Sequence, residues 1–278
     1  MKSHSTTKPI FASSFIDRST KTRSRPEDLQ QLSNKKTTKY MLVWKGKVLF
    51  DINRTIPKVV LLTADDLRLQ HLSNQYSTEK QFLGYYSNNA IFFCDISNWN
   101  DPKAGQKIEK SFLDESRHHH PLLPDSWVFC EVRNFLNLIS QLDAELAAAA
   151  KGLHEWQKSS IFCSNCGSKT IQTMGGWEKH CPDCSTKHFP RIDPVVIMLI
   201  FRGEKTLLGR SHIWPQGMFS CLAGFMEPGE SVEAAAAREA FEETGIEIAE
   251  IKYITSQPWP FPASLMIGCR AFAKNDTL

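Results

Sequence analysis

The sequence predicts a mixed α/β (α+β) chain in three consecutive parts, on three observations. Short apolar runs (YMLVWKGKVLF, KVVLLTA, AIFFCDI, SWVFCEV) precede one long helical pattern that ends near residue 158. Four cysteines then follow in two close pairs. Beyond residue 191, PVVIMLIF, TLLGR, MFSCLAG, IKYIT and LMIGCRAF read as strands around a single capped helix. We therefore expect an N-terminal α/β domain over 1–158, a metal-bound ribbon over 159–190 and a second α/β domain over 191–278.

The N-terminal 46 residues hold ten Lys/Arg against three Asp/Glu and begin MKSHSTTKPIFASSF, so residues 1–38 read as a frayed, disordered basic stretch. Over 134–158, apolar Phe135, Leu138, Ile139, Leu142, Leu146 and Ala149 recur at helical spacing and predict one helix. The net charge of +3 does not argue for a nucleic-acid partner. No uninterrupted apolar run approaches the ~18 residues of a membrane span. With no secretory signal, the expectation is a soluble cytoplasmic protein with no membrane partner.

Cys163, Cys166, Cys181 and Cys184 form C-x2-C-x14-C-x2-C. This spacing makes two knuckles, each giving two thiolates to one tetrahedral Zn²⁺, with Gly167 suited to the tight turn of the first. Four thiolates leave no open position, which marks a structural site; two disulfides or four idle thiols are the alternative. His180 and His188 stand beside a shell already complete and read as surface residues. Cys94, Cys130, Cys221 and Cys269 lie singly in apolar runs and read as buried small hydrophobes, and His118-His119-His120 before Pro121 reads as a loop.

Residues 224–246 read GFMEPGESVEAAAAREAFEETGI. Ser231 can cap a helix, Glu233 favours its first turn, Ala234–Ala237 propagate it and Gly245 can end it, which predicts a helix over 232–244. At about 100° per residue, Glu239, Glu242 and Glu243 share an arc of about 100°, with Ala236, Ala240 and Phe241 on the arc facing the core. Clustered carboxylates repel, and a hard divalent cation offsets that repulsion while binding phosphate oxygens; a merely solvated acidic face is the bland alternative. Further on, Ser256-Gln257-Pro258-Trp259-Pro260-Phe261-Pro262-Ala263-Ser264 alternates prolines with aromatics. Such a segment suits neither a helix nor a central strand. It either presents Trp259 and Phe261 as flat faces to a ring-bearing ligand or forms a rigid loop packed on the core.

Gly224, Glu230, Arg238, Glu239, Ala240, Glu242, Glu243, Gly245 and Ile246 fill the pattern G-x5-E-x7-R-E-U-x-E-E-x-G-U, U being apolar, and resemble the Nudix box of hydrolases that cleave substituted diphosphates. The order of four-cysteine knuckle, Nudix box and SQPWPFPxS is similar to the NADH pyrophosphatase, or NudC-like, branch of that family. FPRIDPVVIMLI (189–200) and EVRNFLNLISQLDAELAAAAKGLHEWQKSSIFCSNCG (131–167) extend the likeness, and FIDRSTKTR (15–23) and LGYYSNNAIFFCDI (83–96) match more loosely. The resemblance implies a mixed sheet between helices over 191–278. It also implies metal-dependent hydrolysis of NADH or NAD⁺ to nicotinamide mononucleotide and AMP. It assigns Mg²⁺ or Mn²⁺ to Glu239 and Glu243 with the Ala223 carbonyl, and gives Glu242 a second metal or the water. Arg238 would hold a box glutamate, and Glu230 would anchor its loop. The ring pocket would consist of Gln257, Pro258, Trp259, Pro260, Phe261, Pro262, Ala263 and Ser264. Phe189 stands where the bacterial family often has a substrate-contacting tyrosine. A homodimer is implied too, as is the rival substrate, an NAD-capped RNA 5′ end. Family members continue for several dozen residues past the point matching Leu278, so the domain is expected to be C-terminally incomplete, with one sheet face uncovered and an impaired binding module as a further reading.

Overall fold

A computed structural model of the chain describes residues 8–76, 78–102 and 114–275. The expectations for residues 1–7 and 276–278 concern residues outside these. Two compact units emerge, Met1–Arg191 and Ile192–Leu278.

The first unit begins with two short helices, α1 (Thr20–Arg23) and α2 (Pro26–Ser33). A sheet of seven strands follows: β1 (Lys39–Trp44), β2 (Lys47–Asp51), β3 (Lys58–Val59), β4 (Leu62–Thr63), then helix α3 (Leu67–Tyr76), β5 (Lys80–Tyr86), β6 (Asn89–Asp95) and β7 (Trp127–Cys130). Its main path runs β3-β2-β1-β6-β5, with β4 on β1 and β7 on β2. The pair β1–β6 is parallel and the others are antiparallel. Tyr40, Leu42, Trp44, Phe82, Phe92 and Phe129 fill the core on one face.

Helix α4 (Gln141–Ser159) packs on β2, β3 and β5. It starts later than its apolar spacing suggests. Ser140 Oγ accepts from Asp143 N at 3.1 Å, which fixes the first turn there. Residues 132–135 instead form a 3₁₀ turn, and Leu138 is exposed. Asp143–Ala148 are buried without a break, so the helix has no wet face there. The reason is the N-terminal segment. Glu145 accepts from Phe15 N at 2.7 Å and Ile16 N at 3.4 Å, and Ser13 Oγ donates to Gln141 O at 3.1 Å. Where the basic composition suggested a frayed stretch, residues 8–38 are therefore tied to the unit, and Asp17 pairs with Tyr85 beside β5.

The unit ends in a three-stranded antiparallel sheet of β8 (Ile171–Thr173), β9 (Glu178–His180) and β10 (Lys187–His188), in the order β10-β9-β8. Lys179 Nζ donates to Gln157 O at 2.7 Å and Ser160 O at 2.9 Å, covering carbonyls at the end of α4.

The second unit has a five-stranded mixed sheet of β11 (Asp193–Arg202), β12 (Lys205–Leu207), β13 (Leu222–Phe225), then helix α5 (Val232–Thr244), β14 (Ile248–Trp259) and β15 (Ser264–Ala273). The order is β12-β11-β15-β14, with β13 also on β11; β11–β15 is parallel. Val196, Met198, Ile200, Cys269 and Ala271 face Ala235, Ala236 and Ala240 of α5 in one core. Phe241 does not join them. It lies 100° beyond Ala240 around the helix and is 55% exposed. On the opposite sheet face, Ile197, Leu199, Phe201, Met266 and Phe272 are half-exposed.

The proline-rich segment is more regular than its composition suggests. Ser256 to Trp259 complete β14 and pair with β15 down to Trp259–Ser264. Since β14 is an edge strand, Pro258 removes no ladder donor that a second neighbour would need.

Candidate functional site

Helix α5 carries the acidic cluster. Ser231 Oγ accepts from Ala234 N at 3.2 Å at its start, and Gly245, with φ 71°, ends it while its N–H donates to Phe241 O at 2.7 Å. Burial of the small Ala235, Ala236 and Ala240 brings the helix close to the sheet and lays Glu239 against β13. The fit is tight. A Cβ placed on Gly224 would stand 1.9 Å from Glu239 Cδ and 2.1 and 2.2 Å from its oxygens. Ala223 precedes Gly224 on the same strand.

Arg238 knits the cluster together. Its Nε donates to Glu230 Oε1 at 2.6 Å and its Nη2 to Glu230 Oε2 at 2.9 Å, a two-pronged pair. Nη1 donates to Glu239 Oε1 and Glu242 Oε2, each at 2.9 Å, and Nη2 also reaches Phe225 O at 3.0 Å. Glu230 Oε2 also accepts from Glu227 N at 2.9 Å, which closes the loop before α5. These bonds, Arg238 first, hold the Glu230 carboxyl at about 2. Burial and the neighbouring Glu239 push Glu243 up instead. One guanidinium thus faces three carboxylates while Glu243 stands among like charges, an electron-rich face suited to a hard cation.

Trp259 and Phe261 pack edge to face, with ring centroids 5.1 Å apart, and both are half-buried. Pro260 is buried between them in sequence, and the turn at 260–263 returns the chain to Ser264. Gln257 and Pro258 pair across to Met266 and Leu265. Phe189 belongs to the first unit, where it is 64% exposed.

The four cysteines meet. Their sulfurs all lie within 4.8 Å of one another, with Cys166–Cys181 at 3.4 Å and Cys163–Cys184 at 3.5 Å. Sulfurs around one tetrahedral Zn²⁺ at about 2.3 Å stand some 3.8 Å apart, so the donor set fits the ion. The two knuckles repeat one plan. Gly167 N donates to Cys163 O and Ser185 N to Cys181 O, both at 2.9 Å, with positive φ at Gly167 (81°) and Ser185 (60°). Thr186, through its hydroxyl first, draws the Cys184 thiol down to about 5. His188 is no bystander: its Nε2 lies 3.3 Å from Cys163 Sγ and the residue is half-buried. The C-x2-C pattern gave no hint of this contact, which arises from β10 folding back beside the first knuckle. The single cysteines are buried at 94, 130 and 269, whereas Cys221 is only half-buried. His118 and His120 lie on a loop but are themselves buried, against Asp101 at 2.6 Å and Tyr76 at 3.0 Å.

Residues 191–270 match the NUDIX domain, residues 158–189 the NADH pyrophosphatase zinc ribbon domain, and residues 37–156 the NADH pyrophosphatase-like rudimentary NUDIX domain. The second unit thus matches a Nudix domain over most of its length. Among its Nudix relatives, the NAD-capped RNA hydrolase NUDT12 of Homo sapiens is 43% identical over 150 residues, covering 50% of this chain and 32% of the relative. The mitochondrial NAD(P)H pyrophosphatase NUDT13 of Homo sapiens is 41% identical over 170 residues, covering 60% and 48%. The NAD-capped RNA hydrolase NudC of Stutzerimonas stutzeri is 41% identical over 140 residues, covering 50% and 51%. The chain thus matches a third to about half of the length of these Nudix proteins. No helix among the described residues is long and apolar enough to cross a membrane.

Proposed function

We propose that the second unit hydrolyses the pyrophosphate bond of NADH or NAD⁺, with Mg²⁺ or Mn²⁺, to nicotinamide mononucleotide and AMP. The observation that carries this reading is the seating of Glu239 on Gly224 beside Glu242 and Glu243, all three on one face of α5. The names of the relatives, which act on NAD(P)H or NAD-capped RNA, supply the substrate class.

In this reading Glu239 and Glu243, with the Ala223 carbonyl, hold the cation, and Glu242 takes a further ion or orients water. When bound, the cation shields the diphosphate and polarises phosphorus toward water. Arg238 keeps Glu239 and Glu242 at fixed positions, and Glu230 holds Arg238. Water oxygen bonds to one phosphorus, the bridging P–O bond breaks, and the two monophosphates leave. Trp259 and Phe261 offer ring faces for the nicotinamide or adenine, with Gln257 and Ser264 as further contacts. We also propose a three-part organisation over 1–158, 159–190 and 191–278, a homodimeric state and a cytoplasmic location, all on the family resemblance.

The test is AMP release from NADH by the chain with Mg²⁺ or Mn²⁺, stopped by chelator and lowered by Glu243→Gln. Replacing a single charge-stabilising group at a reacting centre costs roughly 10²–10³-fold. A near-native rate in that variant would sink the assignment. NAD-capped RNA breaks at the same bond, and the names of two relatives favour it as a second substrate. Comparing NADH with an NAD-capped oligonucleotide at matched concentration separates the two.

A further inference from the structure

The four thiolates of the ribbon differ in how well the fold shields them. A buried or hydrogen-bonded thiolate is guarded against oxidants, whereas an exposed one reacts. Cys163 and Cys181 are 3% and 0% exposed, Cys184 is half-buried and Cys166 is exposed.

Hydrogen-bond donors follow the same order. Cys163 Sγ accepts from Asn165 N at 3.4 Å and has His188 Nε2 at 3.3 Å. Thr186 Oγ1 lies 3.1 Å from Cys184 Sγ, to which its hydroxyl donates once that sulfur is a thiolate. Cys181 takes backbone hydrogen bonds from Asp183 and Cys184. Among the described residues, no N–H or hydroxyl donates to Cys166 Sγ, whose near neighbour is Cys181 Sγ at 3.4 Å. The turn around it is open as well. Ser164, Asn165, Cys166 and Gly167 are all exposed, and a Cβ added at Gly167 would meet nothing within 4 Å.

We propose that Cys166 is the ligand through which hydrogen peroxide empties the zinc site, with Cys181 as its partner. The Cys166 thiolate attacks one peroxide oxygen, so an S–O bond forms, the O–O bond breaks and hydroxide leaves. The Cys181 thiolate then attacks the Cys166 sulfur. The S–S bond forms, the S–O bond breaks and a second hydroxide leaves. Two electrons pass from the sulfur pair to the peroxide, and solvent protons turn both hydroxides into water. Zinc keeps only Cys163 and Cys184 of a four-ligand shell and dissociates. A thiol reductant reverses the disulfide and lets zinc return. This sensitivity is separate from the chemistry of the acidic helix.

The test uses the whole zinc-loaded chain and hydrogen peroxide. A coloured chelator reads the released zinc, and non-reduced peptides give the disulfides. Zinc counted before oxidation tests the ion itself separately. Loss of the bound zinc is expected, with Cys166–Cys181 the first disulfide. Cys166→His keeps a zinc ligand that forms no disulfide, so it should retain its zinc at the dose that empties the wild type. Cys184→His should lose zinc as the wild type does, because Cys166 and Cys181 remain. If Cys166→His fails to fold, brief alkylation of the zinc-loaded wild type decides: Cys166 should be labelled before Cys163, Cys181 and Cys184. Three outcomes would each overturn the proposal: another pair joining first, zinc loss from Cys166→His as fast as from the wild type, or earlier alkylation of another ligand.

Discussion

Glu239 rests its carboxylate in the space that a side chain at Gly224 would need, so strand β13 and helix α5 touch through an acid and a missing methyl group. Gly224 is not in a left-handed conformation, so backbone freedom does not explain the glycine. We expect Gly224→Ala to fold with little loss of stability, since the end of a flexible side chain can move aside. It should still displace Glu239 and lower hydrolysis by roughly 10²-fold, as for loss of one charge-stabilising group. Thermal unfolding and AMP release, measured together, check both halves.

Arg238 is expected to tolerate no substitute. Lysine keeps the charge but cannot reach Glu230, Glu239, Glu242 and the Phe225 carbonyl at once. Loss of hydrogen bonds between charged groups predicts a fall in kcat of about ten- to a hundredfold for Arg238→Lys. A double-mutant cycle with Glu230→Gln should show strong coupling, because the two act through one contact.

Stability should depend on Glu230 at acid pH. Its folded value of about 2 lies below the ordinary glutamate value of about 4.3. The native state therefore binds fewer protons, and the contribution is full above that ordinary value and lost as pH falls from about 4 toward 2. Urea midpoints measured across this range should fall more steeply for the wild type than for Glu230→Gln. Parallel curves would remove the ion pair from the account.

One tightly held zinc per chain is expected under reducing conditions. His188→Ala should weaken it, because partners of metal-bound groups typically matter by about 10–100-fold in affinity. Competition with a coloured chelator reads this directly, and unchanged zinc release would leave the His188–Cys163 contact without a role.

Glu145→Ala should release the N-terminal segment. The carboxylate collects Phe15 N, Ile16 N and the Ser13 hydroxyl, and no other side chain of α4 replaces those bonds. Faster tryptic cleavage at Arg18, Lys21 and Arg23 is the expected result, with the zinc content unchanged.

The capped helix, the cysteine knuckles and most strands were legible because their signals are local. Ser231 and Gly245 mark the ends of α5 within the helix's own neighbourhood. What escaped depends on residues far apart in sequence. The seating of Glu239 needs β13, the role of Glu145 needs residues 13–16, and the His188 contact needs β10 to return to Cys163. The start of α4 is hidden in the sequence because Phe135, Leu138 and Ile139 keep helical spacing up to the cap at Ser140. Phe241 differs from its expected place because the buried arc of α5 runs through Ala235, Ala236 and Ala240 and ends short of it.

The parallel pairing of residues 193–201 with 264–272 has a consequence for biosynthesis. Strand β11 leaves the ribosome well before β15, and until then one of its edges is open while α5 has only part of the surface it rests on. Cys269 and Ala271, which complete that surface, emerge only after α5 itself. Closing so long a loop is entropically slow. The acidic helix should therefore be seated only once β15 has joined the sheet.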